Sequence, residues 1–276
     1  FLTFRVLDIA DLSVEGTFPL GAAVAATLID AGHSVWFAML IALIAGCIGG
    51  TVTALLTTKL KIPALLSGIL TMIGLYSVNL MIMGKANVPL LRAETVFTLT
   101  ENLFGVSSVV ATLIVGLVAT VIVGAIMYWF FGTELGCSLR ATGCNEKMAR
   151  AQGINTDFAR VLGLMLSNGL VALSGALLSQ YQGFADINMG RGAIVIGLAA
   201  VIIGEAVFGR VFHNFAFRLV GVALGSIIYY LVLQLVIWMG IDTDLLKLLS
   251  AVVVAVFLAI PTWKSRYFSN FSKGGR

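Results

Sequence analysis

Residues 132–156 read GTELGCSLRATGCNEKMARAQGINT. This is the longest polar interruption in a chain that is otherwise almost entirely apolar, and its flanks decide the fold. Residues 109–131 before it and 158–178 after it are apolar runs long enough to cross a membrane. A connection between two spans needs only a few residues, and this one carries Arg140, Lys147 and Arg150 against Glu134 and Glu146, with Arg160 just beyond. Part of it reads as a short helix. Asn145 is placed to act as N-cap, and Glu146 falls in the first turn, where the helix dipole favours an acid. Arg150 falls in the last turn, and Gly153 can terminate the helix. Asn155 or Thr156 can cap the span that follows. A short capped helix on the surface of a membrane protein is a candidate docking element; a solvated connecting loop is the alternative.

Composition sets the class. Hydrophobic residues make up 59% and charged residues 11%, where a soluble domain carries about a quarter charged residues. Together with a mean hydropathy of +1.04, this points to an all-α, polytopic helical membrane protein. Long unbroken apolar runs argue against the short alternating strands of a β-barrel. Cys47 sits in a span and Cys137 and Cys144 in the polar loop, so no disulfide framework is expected. His33 and His213 fall on opposite sides of the membrane, and no metal site is expected. No G-x-x-x-x-G-K-[S/T] run occurs, so ATP is not held by this chain in a P-loop. The chain is expected to be neither an enzyme nor the holder of a cofactor.

The apolar pattern predicts about eight to nine membrane segments, one of them discontinuous. Residues 1–10 read as the tail of a helix whose beginning lies upstream. DLSVEG, residues 11–16, then breaks the pattern. The resumed run, 17–29, has about thirteen residues, roughly 20 Å of helix, too short for a core of about 30 Å. Pro19 is expected in its first turn. Gly46 and Gly50, and later Gly221 and Gly225, have the four-residue spacing that lets helices approach closely. Residues 85–107 and 181–191 are polar connections, the first with room for a short helix. Residues 192–208 are short and Gly-rich, Arg210, His213 and Arg218 bracket a tight turn, Asp242 and Asp244 mark another, and a last span at 245–260 precedes a basic tail. Placing the central loop inside puts Lys59, Lys61, Arg140, Lys147, Arg150, Arg160, Arg210, Arg218 and the tail cations on the cytoplasmic side. The net charge of +4 thus reflects topology and calls for no nucleic-acid partner.

LRATGCNEKMARAQGIN resembles the cytoplasmic loop of ABC importer permeases of the branched-chain amino acid and monosaccharide type. Arg140, Ala141, Gly143, Asn145, Ala149, Gly153 and Ile154 match that pattern, while Cys144 stands where an Asp is expected. DLSVEG is similar to the Asp-Leu-Ser-Val-Gly run that opens the second helix of ribose-type permeases, with Glu15 inserted. The longer FRVLDIADLSVEGTFPLGAAVAATL looks closer to a less characterised branch of the superfamily, associated in part with aromatic amino acids. The resemblance implies that residues 1–276 form a single transmembrane permease domain of a bacterial cytoplasmic membrane. It implies that residues 132–157 are a coupling loop acting through Arg140, Gly143, Asn145, Glu146, Ala149, Arg150 and Gly153. It also implies a permease homodimer in the bilayer, two ATPase subunits that hold ATP and Mg, and an external solute-binding protein.

Ionisable and amide groups at membrane depth face either a cavity or a partner. Asp11, Ser13, Glu15, Asn79 and Asn168 are therefore the translocation-path candidates. The structural alternative pairs Arg5 with Asp8, has Asp11 or Ser13 cap the resumed helix, and has Asn79, Asn168 and Gln180 bond between helices. Carboxylates near a path suit an α-ammonium group, which favours an amino acid as solute. A sugar or nucleoside permease of the same superfamily is the runner-up, and a stand-alone secondary transporter is the rival class. A self-sufficient carrier has no use for a helical dock in its central loop.

Overall fold

The computed structural model describes residues 1–90, 93–208 and 215–238, with Val252 and Ala255. The Arg210–His213 turn, the Asp242 and Asp244 turn, the span at 245–260 and the basic tail lie outside the described residues. Two compact units are present, one of residues 2–193 and one of Phe1 with residues 194–276.

In the first unit a π-helical turn, Leu2–Val6, leads through an irregular segment into α1, Val14–Asp30. Then follow α2 (Val35–Thr58), α3 (Ala64–Met83), β1 (Asn87–Pro89), α4 (Val96–Phe104) and α5 (Ser108–Gly132). The polar loop forms α6 (Glu134–Cys144) and α7 (Glu146–Ala151), and α8 (Thr156–Gln182) and β2 (Phe184–Asp186) complete the unit. The other unit contains α9 (Ala193–Phe208) from its second residue onward and α10 (Phe215–Trp238). Among the described residues, α2, α3, α5, α8 and residues 215–235 of α10 are long and apolar enough to cross a membrane.

The helix α1 is the centre of the first unit. Its 17 residues make about 25 Å, still short of a 30 Å core. Ala22, Ala23, Ala25 and Ala26 are all fully buried, because α1 is apolar on every side and is enclosed by α2, α3 and α8. Small residues make the enclosure possible. A side chain on Gly21 would run into the Ala172 backbone of α8, and one on Gly175 into the Phe18 carbonyl of α1. Gly46 and Gly50 lie against Asn168 and Leu164 of α8, so their spacing works as expected. In contrast, Val109, Leu113, Leu117 and Val121 form an exposed apolar stripe along α5. In the other unit Gly225 packs on Ala200 and Gly204, and Gly204 on Gly221.

Two expectations are corrected. The helix resumes at Val14, three residues before Thr17, because Ser13 already accepts hydrogen bonds from the Gly16 and Thr17 N–H groups. Pro19 therefore lies inside α1 and not in its first turn. Its missing N–H frees the Glu15 carbonyl, and Gly190 approaches that carbonyl so closely that a Cβ would collide with it. The two polar connections also do more than connect. They pair as an antiparallel ribbon, Asn87 opposite Asp186 and Pro89 opposite Phe184, and Gln180 Oε1 accepts the Val96 N–H at 3.0 Å to hold the start of α4.

Candidate functional site

The five path candidates fall into two groups. Asp11, Ser13 and Asn168 form one closed cluster, joined by Thr17 one turn into α1. Asp11 Oδ1 accepts the Ser13 N–H at 2.9 Å and the Ser13 hydroxyl at 2.5 Å. Asp11 Oδ2 accepts from Asn168 Nδ2 at 2.8 Å. The same amide nitrogen donates to the Leu164 carbonyl at 3.1 Å, and Asn168 Oδ1 accepts the Thr17 hydroxyl at 2.7 Å. All four residues are buried. A carboxylate removed from water costs several kcal/mol unless its lone pairs are met, and here three donors meet them. Of the two expected caps, Asp11 does the work; the Ser13 side chain makes no capping bond to the helix. The cluster ties the break before α1 to the middle of α8. Gly68 of α3 lets the same break settle, since a Cβ there would sit 2.8 Å from the Leu12 nitrogen.

Glu15 and Asn79 form the second group, on a cavity of about 610 Å³. Glu15 Oε1 accepts the Gly192 N–H at 3.1 Å. Asn79, with no exposed surface, donates to the Gly16 carbonyl at 3.1 Å, while its Oδ1 has no hydrogen-bond partner. Arg191 and Tyr76 also line this space. Neither was singled out in the sequence, because Arg191 sits in a polar connection and Tyr76 in a uniformly apolar helix.

The loop carries the coupling candidates. Helix α7 forms as expected: Asn145 Oδ1 accepts the Met148 N–H at 3.1 Å, and Gly153 reverses the chain at φ +81°. Asn155, not Thr156, caps α8 by accepting the Phe158 N–H. Helix α6 before it was not foreseen; Thr133 caps it. The charged residues hold the loop together. Arg140 Nη2 donates to the Phe131 carbonyl at the end of α5 at 2.6 Å. Glu146 pairs with Arg150 at 2.8 Å and with Arg160 of α8 at 2.6 Å, and Arg150 Nε donates to Thr156 Oγ1 at 2.8 Å. Ala149 faces inward and is buried.

Gly143 has a specific task. A Cβ on it would collide with the Val6 carbonyl, so α6 lies directly on the chain leading to Asp11. Leu7 and Leu139 of α6, both buried, pack together on Gly163 of α8. What the loop leaves outside is apolar as well as charged: Leu135, Met148 and Phe158 are exposed, Met148 by 60%.

A membrane protein built around a short buried helix and a structured central loop is thus defined. The sequence profile of the branched-chain amino acid transport system permease components matches residues 1–261, and the chain belongs to that family. Over 259 residues it is 38% identical to the tyrosine transport system permease protein of Clostridioides difficile, covering 94% of this chain and 84% of the relative. An uncharacterized protein of Rickettsia prowazekii is 36% identical over 261 residues, covering 94% of this chain and 90% of its own length. The autoinducer 2 import system permease protein of Salmonella paratyphi B is 29% identical over 200 residues, 70% of this chain and 54% of that protein. No solved structure matches. The chain is therefore a multi-pass membrane permease, a transport subunit of its system.

Proposed function

We propose that the chain is the membrane-spanning subunit of an ATP-driven importer for an amino acid, an aromatic one favoured. The observation that carries this reading is the 38% identity, along nearly the whole chain, to a tyrosine transport permease. The 29% identity to an autoinducer 2 permease keeps a sugar-like solute as the second reading. In this proposal the chain crosses the bacterial cytoplasmic membrane in eight to nine segments and works as a homodimer. Two ATPase subunits, which bind ATP and Mg, dock at the loop of residues 132–157 on the cytoplasmic face, and an external binding protein delivers solute. Arg140, Glu146 and Arg150 support docking by fixing the shape of the loop, and Gly143 by seating it on Val6. Glu15 and Asn79 line the path, while Asp11, Ser13 and Asn168 brace it.

The test is reconstitution of the permease with its ATPase and binding protein in proteoliposomes, offered labelled tyrosine, phenylalanine, leucine and ribose. ATP-dependent uptake of an aromatic amino acid is expected. Uptake of ribose alone establishes the second reading, and uptake without the ATPase overturns the importer assignment.

A further inference from the structure

The cavity at Glu15 has features of a built site beyond its size. Its volume of about 610 Å³ lies within the range of small-molecule sites, roughly 300–1,000 Å³. Opposite charges meet at it: Glu15 on α1 and Arg191 next to Gly192. They form no ion pair with each other, and among the described residues Arg191 has no ion-pair partner. The carboxylate is held in place through one oxygen by the Gly192 N–H, which leaves its other oxygen for a second donor. Asn79 adds an acceptor, the buried and unbonded Oδ1. Native proteins rarely leave a buried acceptor unbonded, and an unbonded one on a residue that lines a cavity points to a donor in that cavity, a water or a ligand group. The remaining wall is largely apolar, with Met72, Ile73 and Tyr76 along α3.

We infer that this cavity is a binding site within the permease for a zwitterionic amino acid carrying an apolar side chain. Glu15 and Asn79 Oδ1 receive its ammonium, Arg191 receives its carboxylate, and the α3 wall receives the side chain. The inference rests on the amino-acid reading proposed above and goes further by assigning each pole of the solute to a residue of this chain. A sugar offers neither pole and would meet Glu15 and Arg191 only through neutral hydroxyl groups, without the opposite charge that strengthens each bond.

The experiment measures binding to the full permease in nanodiscs by calorimetry with three probes: L-phenylalanine, phenethylamine, which lacks the carboxylate, and 3-phenylpropionate, which lacks the ammonium. Glu15→Gln keeps an acceptor for the Gly192 N–H and preserves the fold. It is expected to weaken phenylalanine and phenethylamine by about ten-fold or more while sparing 3-phenylpropionate. Arg191→Gln is expected to weaken phenylalanine and 3-phenylpropionate to a similar extent and to spare phenethylamine. This crossed pattern is one that a merely structural role of either residue would not produce. If each variant changes all three probes in parallel, or if the parent binds none of them while the reconstituted importer takes up phenylalanine, the site assignment is overturned and the importer reading stands. If the parent importer takes up ribose and no amino acid, the amino-acid reading fails, and the pole assignment fails with it.

Discussion

Two asparagines are fully buried among the helices of the first unit, and they are bonded in opposite ways. Asn168 is saturated: its nitrogen donates to Asp11 and Leu164, and its oxygen accepts from Thr17. Asn79 makes one bond, to the Gly16 carbonyl, and keeps an unbonded oxygen beside a cavity. Both sit in apolar helices and read alike in the sequence. A saturated buried amide has no capacity left for a solute, so Asn168 serves to hold α8 to the break before α1. An unsaturated one carries a cost that folding alone does not recover, and on this ground the proposed site gives Asn79 to the solute.

The largest effect is expected where saturation is destroyed. Asp11→Ala leaves the Ser13 N–H and an Asn168 N–H without their acceptor in a buried place, while the Ser13 hydroxyl keeps only Asn168 Oδ1 at 3.2 Å. At about 1–3 kcal/mol for each stranded group, the loss is comparable with a large part of a protein's net stability. Folded yield in mild detergent should collapse, as read by size-exclusion chromatography. Asp11→Asn, which keeps one acceptor, should recover part of it. A monodisperse Asp11→Ala protein with parental thermal stability and no uptake would move Asp11 from the brace to the path.

A smaller loss is expected from Gly143→Val. The branched side chain must displace the Val6 carbonyl, a backbone atom that cannot rotate away, at a cost of about 1–3 kcal/mol. Because Val6 and Leu7 lead into Asp11, the disturbance should reach the brace. The expected result is a lowered melting temperature together with weakened stimulation of the ATPase by solute-loaded binding protein. Unchanged stimulation in a destabilised Gly143→Val protein would separate the loop from the brace.

How far these distinctions were legible varies with their range. Helix α7 could be read residue by residue, because a cap, an acid in the first turn and a closing glycine are local signals. The class could be read from the apolar runs, and the close approach at Gly46 and Gly50 from their spacing. The partners of Asp11 could not, since Asn168 is 157 positions away and no local pattern links them. Thr17 lay within reach, one turn after Ser13 on the same face, but a threonine in an apolar helix gives no sign of what it bonds. The β1–β2 ribbon was missed for a similar reason: each strand has three residues, too few to show an alternation. Helix α6 was missed because its glycines and cysteines resemble a loop until Thr133 is seen to cap it.

Asn79→Leu is the variant that sharpens the contrast between the two amides. Leucine has nearly the same shape, gives up one hydrogen bond to Gly16 and removes the unbonded acceptor. These changes oppose each other, so stability should stay within about 1 kcal/mol of the parent, in contrast to Asn168→Leu, which strands an Asp11 oxygen and leaves the Thr17 hydroxyl only its longer bonds to the Ser13 and Val14 carbonyls. Uptake should nevertheless fall, through a raised KM for solute. A large drop in melting temperature for Asn79→Leu, equal to that for Asn168→Leu, would show that both amides serve the fold.

The smallest effect on stability, and the most selective one, is expected at Met148, where the same logic extends to the loop. Arg140, Glu146 and Arg150 spend their hydrogen bonds inside the chain, on Phe131, Arg160 and Thr156. They shape the loop. Met148 projects from α7 with 60% of its surface exposed, one position before the buried Ala149 that seats the helix. An unbranched, flexible thioether in that position suits insertion into an apolar groove of a partner. Met148→Asp alters no contact that holds the loop, so the melting temperature should be unchanged, within about 0.5 kcal/mol in stability terms. Co-purification of the ATPase should nonetheless drop several-fold, because a carboxylate would have to be buried in the groove. Glu146→Gln makes the complementary test: it weakens two partly exposed ion pairs, each worth up to about 1 kcal/mol, and should loosen the loop with less loss of the ATPase. If Met148→Asp retains the ATPase fully while Glu146→Gln loses it, the charged residues are the docking contacts themselves, and saturation within the chain does not separate holding residues from receiving ones on this loop.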